Sequence, residues 1–201
     1  LLDRHLLYPD SFSGSVSNSK SALKQVVKGF IRKLEKKEDA SLSELTNFLS
    51  QSAGSTKLLT VDDVMDGDRE ELVTKLTKSF ELAPNEFPLA PAKGAKAKKS
   101  KTLQTRIKNF WQNLVNNLQD SENLDTVMDH VTTWLQSLAQ SKMKAIRYTC
   151  CVNAYCIVDA LILSANELRK EVTVKNRQLE AKKKKKQNKA QVKELSQSVT
   201  A

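Results

Sequence analysis

Glycine and proline are scarce in this sequence, 5 and 4 among 201 residues, and their scarcity removes the turn-makers that an all-β fold depends on. After Gly94 neither residue occurs again. Aromatic residues make up only 5% and no Arg/Gly or aromatic-rich tract is present, which leaves single-strand binding by base stacking without support. The three cysteines, Cys150, Cys151 and Cys156, are crowded into one apolar helical pattern. That spacing excludes a disulfide framework or a two-plus-two zinc site and predicts core thiols in a reducing compartment. His5 and His130 stand alone, without the i, i+4 ligand partner that zinc needs. Asp62, Asp63, Asp66 and Asp68 resemble the start of a calcium loop, but Val73 stands where the twelfth-position Glu belongs. No Gly-rich phosphate cradle, nucleophile elbow or paired acid beside an apolar pocket appears. The expectation is therefore a non-enzyme with no cofactor, metal or small-molecule substrate. No apolar run is read as approaching the roughly 18 residues of a membrane span, and no signal-peptide pattern opens the chain. With Leu1 rather than Met first, a soluble piece of a longer chain is expected, without a membrane partner.

Positive charge is what the sequence has in excess. The formal net charge is +10 and the pI is near 9.5, a balance that favours polyanionic partners. It is also segregated. Ala92 to Lys108 holds Lys93, Lys96, Lys98, Lys99, Lys101, Arg106 and Lys108 against no acid, a local +7. Leu168 to Lys193 carries a local +9, including the unbroken run Lys182, Lys183, Lys184, Lys185 and Lys186. Between Asp62 and Glu86 the balance reverses to −5.

Apolar spacing organises the chain into helices. Residues 1–19, with Pro9, Gly14 and many serines, are expected to form a flexible lead-in. Residues 20–83 form the N-terminal helices. Leu23, Val26, Val27, Phe30, Ile31 and Leu34 lay one stripe along the first, leaving the neighbouring lysines on its wet side. Asp39 or Ser41 is read as the N-cap of the second, with Glu44 completing a capping box with Ser41. Its stripe is Leu42, Leu45, Phe48 and Leu49, and Gly54 closes it. A turn with Val61, Val64 and Met65 leads to Asp68, which caps a third helix striped by Leu72, Val73, Leu76 and Phe80. Residues 84–101 read as a Pro/Ala/Lys-rich loop. Residues 102–201 then read as helical repeats. Leu103, Ile107, Phe110, Trp111, Leu114, Val115 and Leu118 mark the fourth helix. The fifth starts at Ser121 with Leu124, Val127, Met128, Val131, Leu135 and Leu138. A sixth opens near Ser141, striped by Met143, Ile146, Ala154, Ile157, Val158, Leu161, Ile162, Ala165 and Leu168, with nothing to stop it before about Lys189. At about 1.5 Å per residue such a helix is about 70 Å long. That exceeds the 35–40 Å or so of a compact domain, so part of it is expected to project. Helices with one apolar stripe each bury it by stacking in antiparallel pairs, which predicts an all-α, HEAT-like α-solenoid fragment with a long, basic C-terminal helix. Trp111 and Trp134, on or beside the stripes, are expected in the core.

Four segments resemble a known family. Ser21 to Gly54, SALKQVVKGFIRKLEKKEDASLSELTNFLSQSAG, is similar to the helix pair opening the STAG domain region of cohesin's HEAT-repeat subunit, the stromal antigen family. There an "SA(M/L)xxVVxx(W/F)I" start leads through a charged turn to "NFFxxxSG". SFELAPNEFPL, within Lys78 to Leu89, resembles the family's "F…DYPL" segment. MKAIRYTCCVNAYCIVDALI, Met143 to Ile162, resembles "RAFRHTxTLAAxKLxTALV", and KNRQLEAK, Lys175 to Lys182, resembles "QRQYEAE". The likeness covers about residues 20–185 in order. It departs in the first helix, where Phe30 replaces the commoner Trp and Lys28 and Gly29 replace acids, and in a longer Ala/Lys loop before the fourth helix.

Each phosphate neutralised by Lys or Arg releases condensed counterions, so a run of bases without acids grips duplex DNA without reading its sequence. The candidates are Lys96, Lys98, Lys99 and Lys101 in the loop, with Arg106 and Lys108 one turn inside the fourth helix. Five consecutive lysines, Lys182 to Lys186, point in every direction around a helix. They fit a localisation element or solvated helix end as well as a second basic site. The resemblance implies that the loop-to-helix step contacts DNA, that the chain supports sister chromatid cohesion and chromosome segregation on nuclear chromatin, and that its partners include the cohesin kleisin, mostly through regions beyond this chain, with other cohesin subunits and regulators. Two alternatives stay open: a protein-docking scaffold in a chromatin complex with no DNA contact of its own, and a double-stranded-RNA binder of ribosome assembly.

Overall fold

The computed structural model describes residues 20–82, 87–89, 93–119 and 121–199; His5 and the expected lead-in lie outside them. Among the described residues every regular element is a helix, as the sequence predicts: α1 (Lys20–Leu34), α2 (Glu38–Ser52), α3 (Val61–Met65), α4 (Arg69–Leu82), α5 (Ala95–Leu118), α6 (Asn123–Ala139) and α7 (Lys144–Val199).

The stripes fold as spaced. Leu23, Val27, Phe30 and Leu34 of α1, Leu42, Leu45, Phe48 and Leu49 of α2, and Leu72, Val73, Leu76 and Phe80 of α4 are all buried. So are Ile107, Phe110, Trp111, Leu114, Val115 and Leu118 of α5, and Val127, Val131, Trp134 and Leu138 of α6. The α1 helix packs on α2 and α5, and α6 packs on α2, α4 and α5. Phe48 and Phe110 meet with ring centroids 4.9 Å apart, and Trp111 stands edge-on to Phe110 at 5.1 Å, a geometry the aromatic quadrupole favours. Gly54, at φ 101°, closes α2 in a Schellman motif: its N–H donates to the Gln51 carbonyl at 2.8 Å and that of Ser55 to the Ser50 carbonyl at 3.1 Å, satisfying carbonyls the helix leaves over. Asp68 caps α4, its Oδ1 accepting from the N–H groups of Glu70 and Glu71 at 2.8 and 3.1 Å.

Several expectations are corrected. The capping box lies not at Ser41 but at Thr60, whose Oγ1 accepts from the Asp63 N–H while Asp63 accepts from that of Thr60. It turns the expected Val61–Met65 turn into a short helix. Ser41 instead sits inside α2 and donates to the Lys37 carbonyl, and Glu44 is tied to Lys33. The helix expected to start after a loop ending at 101 starts at Ala95. Gly94 takes φ 67°, ψ −139° just before it, and the Ala/Lys composition that suggested a loop is strongly helix-forming once past the last glycine. The α7 helix runs to Val199, beyond the expected end near Lys189.

The chain divides into two units at Leu161/Ile162. In the first, the row of α7 that meets the core is Ile146, Cys150, Asn153, Ile157 and Ala160, whereas Val158 and Leu161 of the expected stripe are exposed. Cys151 is exposed as well, so only Cys150 is a fully buried thiol. Within Lys144–Ala181 one window is long and apolar enough, by length and composition, to cross a membrane. This corrects the reading that none approaches that length. Only 39% of that window is buried inside the fold. The second unit is the remainder of α7, where Ile162 and Leu168 are exposed and Lys175 lies 3.7 Å from Glu171, one turn back.

Candidate nucleic-acid interface

The start of α5 sets the geometry of the basic segment. At 3.6 residues per turn, the buried side of α5 is fixed by Ile107, Phe110, Trp111 and Leu114. Lys98 then falls at the centre of the opposite, wet side, with Lys101 and Lys108 on one flank and Lys99 and Arg106 on the other. Lys98, Lys99, Lys101 and Lys108 are exposed and Arg106 is half-buried. Thr102 and Thr105, exposed between them, turn their hydroxyls inward to the carbonyls of Lys98 and Lys101. These cations spread over about half of the circumference of the first turns of α5, a broad cationic ridge with Lys98 at its middle. Lys96 falls in α5 but outside the residues whose side chains are described.

Acids matter as much as bases here. Among the described residues, Lys98, Lys99, Lys101 and Arg106 make no ion pair, and no ion pair joins the acidic stretch after Asp62 to this ridge. Lys108 differs: its Nζ lies 2.8 Å from Oδ2 of Asp159 on α7. Hydrogen bonding to Asp159, and then that carboxylate's charge, raise the Lys108 pKa above its ordinary value. The lysine stays cationic, but its field is offset by a fixed neighbour, and the free ridge ends near Arg106.

The second candidate, Lys182 to Lys186, lies in α7 of the second unit. Lys183 and Lys184 are exposed; the side chains of Lys182, Lys185 and Lys186 are outside those described.

One set of cations was passed over in the sequence. On α1, Lys24, Lys28 and Arg32 are exposed and recur every four residues, which puts them in one row. The four-residue spacing outside an apolar stripe was the signal, hidden because a charged wet side is what any surface helix shows.

His130 serves structure. Its Nε2 lies 2.8 Å from Thr46 Oγ1, linking α6 to α2. Trp111 and Trp134 are in the core as expected, so neither offers an open face to a base. Among the described residues no group of His, Cys, Asp or Glu is arranged to hold a metal.

The sequence matches the STAG domain over residues 87–198. It is similar to cohesin subunit psc3 of Schizosaccharomyces pombe, 26% identical over 82% of this chain and 17% of that protein. It is also similar to cohesin subunit SA-3 of Homo sapiens, 28% identical over 85% of this chain and 14% of that protein, and to cohesin subunit SA-1 of Xenopus laevis, 27% identical over 73% and 11%. The chain therefore spans less than a fifth of the length of these relatives. The matched region begins beside Phe87, whose ring stands edge-on to Tyr148 at 5.6 Å, takes in the cationic ridge, and ends in α7. With more than half of its residues in that match, the chain belongs to the STAG domain family.

Proposed function

We propose that the chain is a non-catalytic, cohesin-associated helical module that holds duplex DNA by its backbone, without reading sequence, in support of sister chromatid cohesion and chromosome segregation. The observation that carries this reading is the set of exposed, acid-free cations Lys98, Lys99 and Lys101, with Arg106 beside them, on a helix whose other side is fixed by the buried Ile107, Phe110, Trp111 and Leu114. A helix holds these charges at set spacing, whereas a loop would spend conformational entropy to order them on binding. The relatives are cohesin subunits by name, and on that basis the kleisin and other cohesin subunits and regulators are proposed as partners, reached mainly through parts of the longer protein, in the nucleus on chromatin. The run Lys182 to Lys186 is assigned to a second basic site or to nuclear import.

Replacing Lys98, Lys99 and Lys101 together by Glu tests the reading. Each lost phosphate contact lowers the slope of log affinity against log salt by about 0.9, so the variant should lose about two to three from the wild-type slope as well as affinity. An unchanged slope would remove these residues from the interface. Failure of the wild type to retain duplex at moderate salt would favour the docking-scaffold reading, and preference for double-stranded RNA the ribosome-assembly one.

A further inference from the structure

The α1 row of Lys24, Lys28 and Arg32 lies outside the STAG match at 87–198 and outside the ridge on α5, yet α1 packs directly against α5. The buried side of α1, with Leu23, Val27, Phe30 and Leu34, holds the helix in place and turns the row to solvent. From Lys24 to Arg32 the row is about 12 Å long at 1.5 Å per residue. Among the described residues none of the three has a carboxylate at ion-pair distance, whereas the adjacent Lys33 is tied to Glu44 across to α2. The protein thus neutralises one cation of α1 and leaves a row of three that winds by about 40° per step around the helix.

What lies beside the row selects the partner. The other exposed positions between Lys24 and Arg32 are Gln25 and Gly29, and one turn beyond Arg32 stands the exposed Glu35, so no apolar anchor is offered of the kind that dominates protein–protein hot spots. A Cβ at Gly29 would meet no atom within 4 Å, so no neighbour in the fold requires a glycine there; its effect is to keep that side low and open to close approach. A duplex presents one phosphate of each strand per about 3.4 Å of its axis, so a row of about 12 Å laid along the axis passes about three phosphates of one strand. An acidic protein segment would need its carboxylates held at matching spacing to gain as much.

We infer that Lys24, Lys28 and Arg32 form a second backbone-binding row for duplex DNA, on a helix that packs against α5. This rests on the reading of α5 as a duplex-binding surface. It adds that the grip begins on α1, ahead of the matched domain, with contributions that sum independently.

The test is a salt titration of duplex affinity for four proteins of the full chain: wild type, K24Q/K28Q/R32Q, K98Q/K99Q/K101Q, and the two sets combined, each checked for helix content by circular dichroism. The α1 set should lower the log–log slope by about two to three at about 0.9 per contact, the α5 set by a similar amount, and the combination by their sum. An α1 set that leaves the slope at its wild-type value while the α5 set flattens it overturns this inference and spares the α5 reading. A wild type that does not bind duplex overturns both. Should the triple α1 variant lose helix content, K28Q and R32Q alone each carry the test, with an expected slope change of about 0.9 and no change as the contrary result.

Discussion

The indole Nε1 of Trp111 donates a 2.8 Å hydrogen bond to Oδ1 of Asn153, and both side chains are wholly buried. The amide is used at both ends, since its Nδ2 donates to the Thr149 carbonyl at 2.9 Å. One asparagine therefore ties α7 to the helix that displays the cationic ridge, and orients the indole of that helix. Asn153→Leu would fill the space but strand a buried N–H, a loss of about 1–3 kcal/mol. Urea unfolding should show that loss, and in a Trp111→Phe background, where no indole N–H remains to strand, the same substitution should cost clearly less. Equal costs in the two backgrounds would show that the bond contributes nothing specific.

His130 makes stability depend on pH. Burial lowers its pKa from the ordinary 6.5, helped by the charge of Arg69 and opposed by the backbone hydrogen bond at Leu42. The unfolded chain therefore takes up the proton more readily than the folded one. The contribution of the neutral imidazole is complete above about pH 6.5 and is lost as pH falls from there through the lower folded value. Unfolding free energy of the wild type should fall more between pH 7.5 and 5 than that of His130→Gln, whose amide can still bond Thr46. Parallel curves would remove His130 as a cause; carboxylates shared by both proteins cancel in the comparison.

Legibility followed the kind of physics involved. Core stripes were legible because burial imposes a period on many residues at once: Val27, Leu45, Leu76 and Leu114 all sit where their spacing put them, and all are fully buried. Glycine and caps were legible where one conformation was demanded, as at Gly54 and Asp68. Helix ends were less so. Ser41 and Glu44 satisfy a capping pattern, yet α2 begins at Glu38, and Glu44 pairs instead with Lys33, a partner that only the packing of α1 on α2 supplies. The outer half of the α7 stripe failed for a related reason: Val158 and Leu161 keep the helical period, but the helices that bury Ile146 and Ile157 do not cover that side. At the candidate site, the charge segregation of Ala92 to Lys108 was plain, while the pairing of Lys108 with Asp159, 51 residues on, had no local trace.

The three thiols should separate by reactivity. Burial pushes the Cys150 thiol up to about 12, so almost none of it is thiolate near neutrality. Cys156 is half-buried and burial raises its pKa too, with Lys108 opposing, while Cys151 is exposed. Limited maleimide treatment of the folded protein at pH 7.5, read by peptide mass spectrometry, should label Cys151 first, Cys156 more slowly and Cys150 only on unfolding. Prompt labelling of Cys150 would mean that the α7 contact opens freely.

Three glycines should answer alanine in two directions. Gly29 lies inside α1 with open space at its Cβ position and no left-handed φ, so its presence costs helix stability without a packing return. Gly29→Ala should stabilise the fold by about 0.5–1 kcal/mol. Gly54→Ala must place a Cβ at φ 101° and should destabilise by about 1 kcal/mol, the cost of a left-handed conformation for an L-residue. At Gly67 the obstacle is contact: a Cβ would come within 2.3 Å of the Asp63 carbonyl oxygen and 2.9 Å of a Leu72 methyl. There α3 and α4 must shift, and the loss should exceed that at Gly54. Thermal melts of the three variants decide the order, and a Gly29→Ala that melts below wild type would show that α1 is not helical through Gly29.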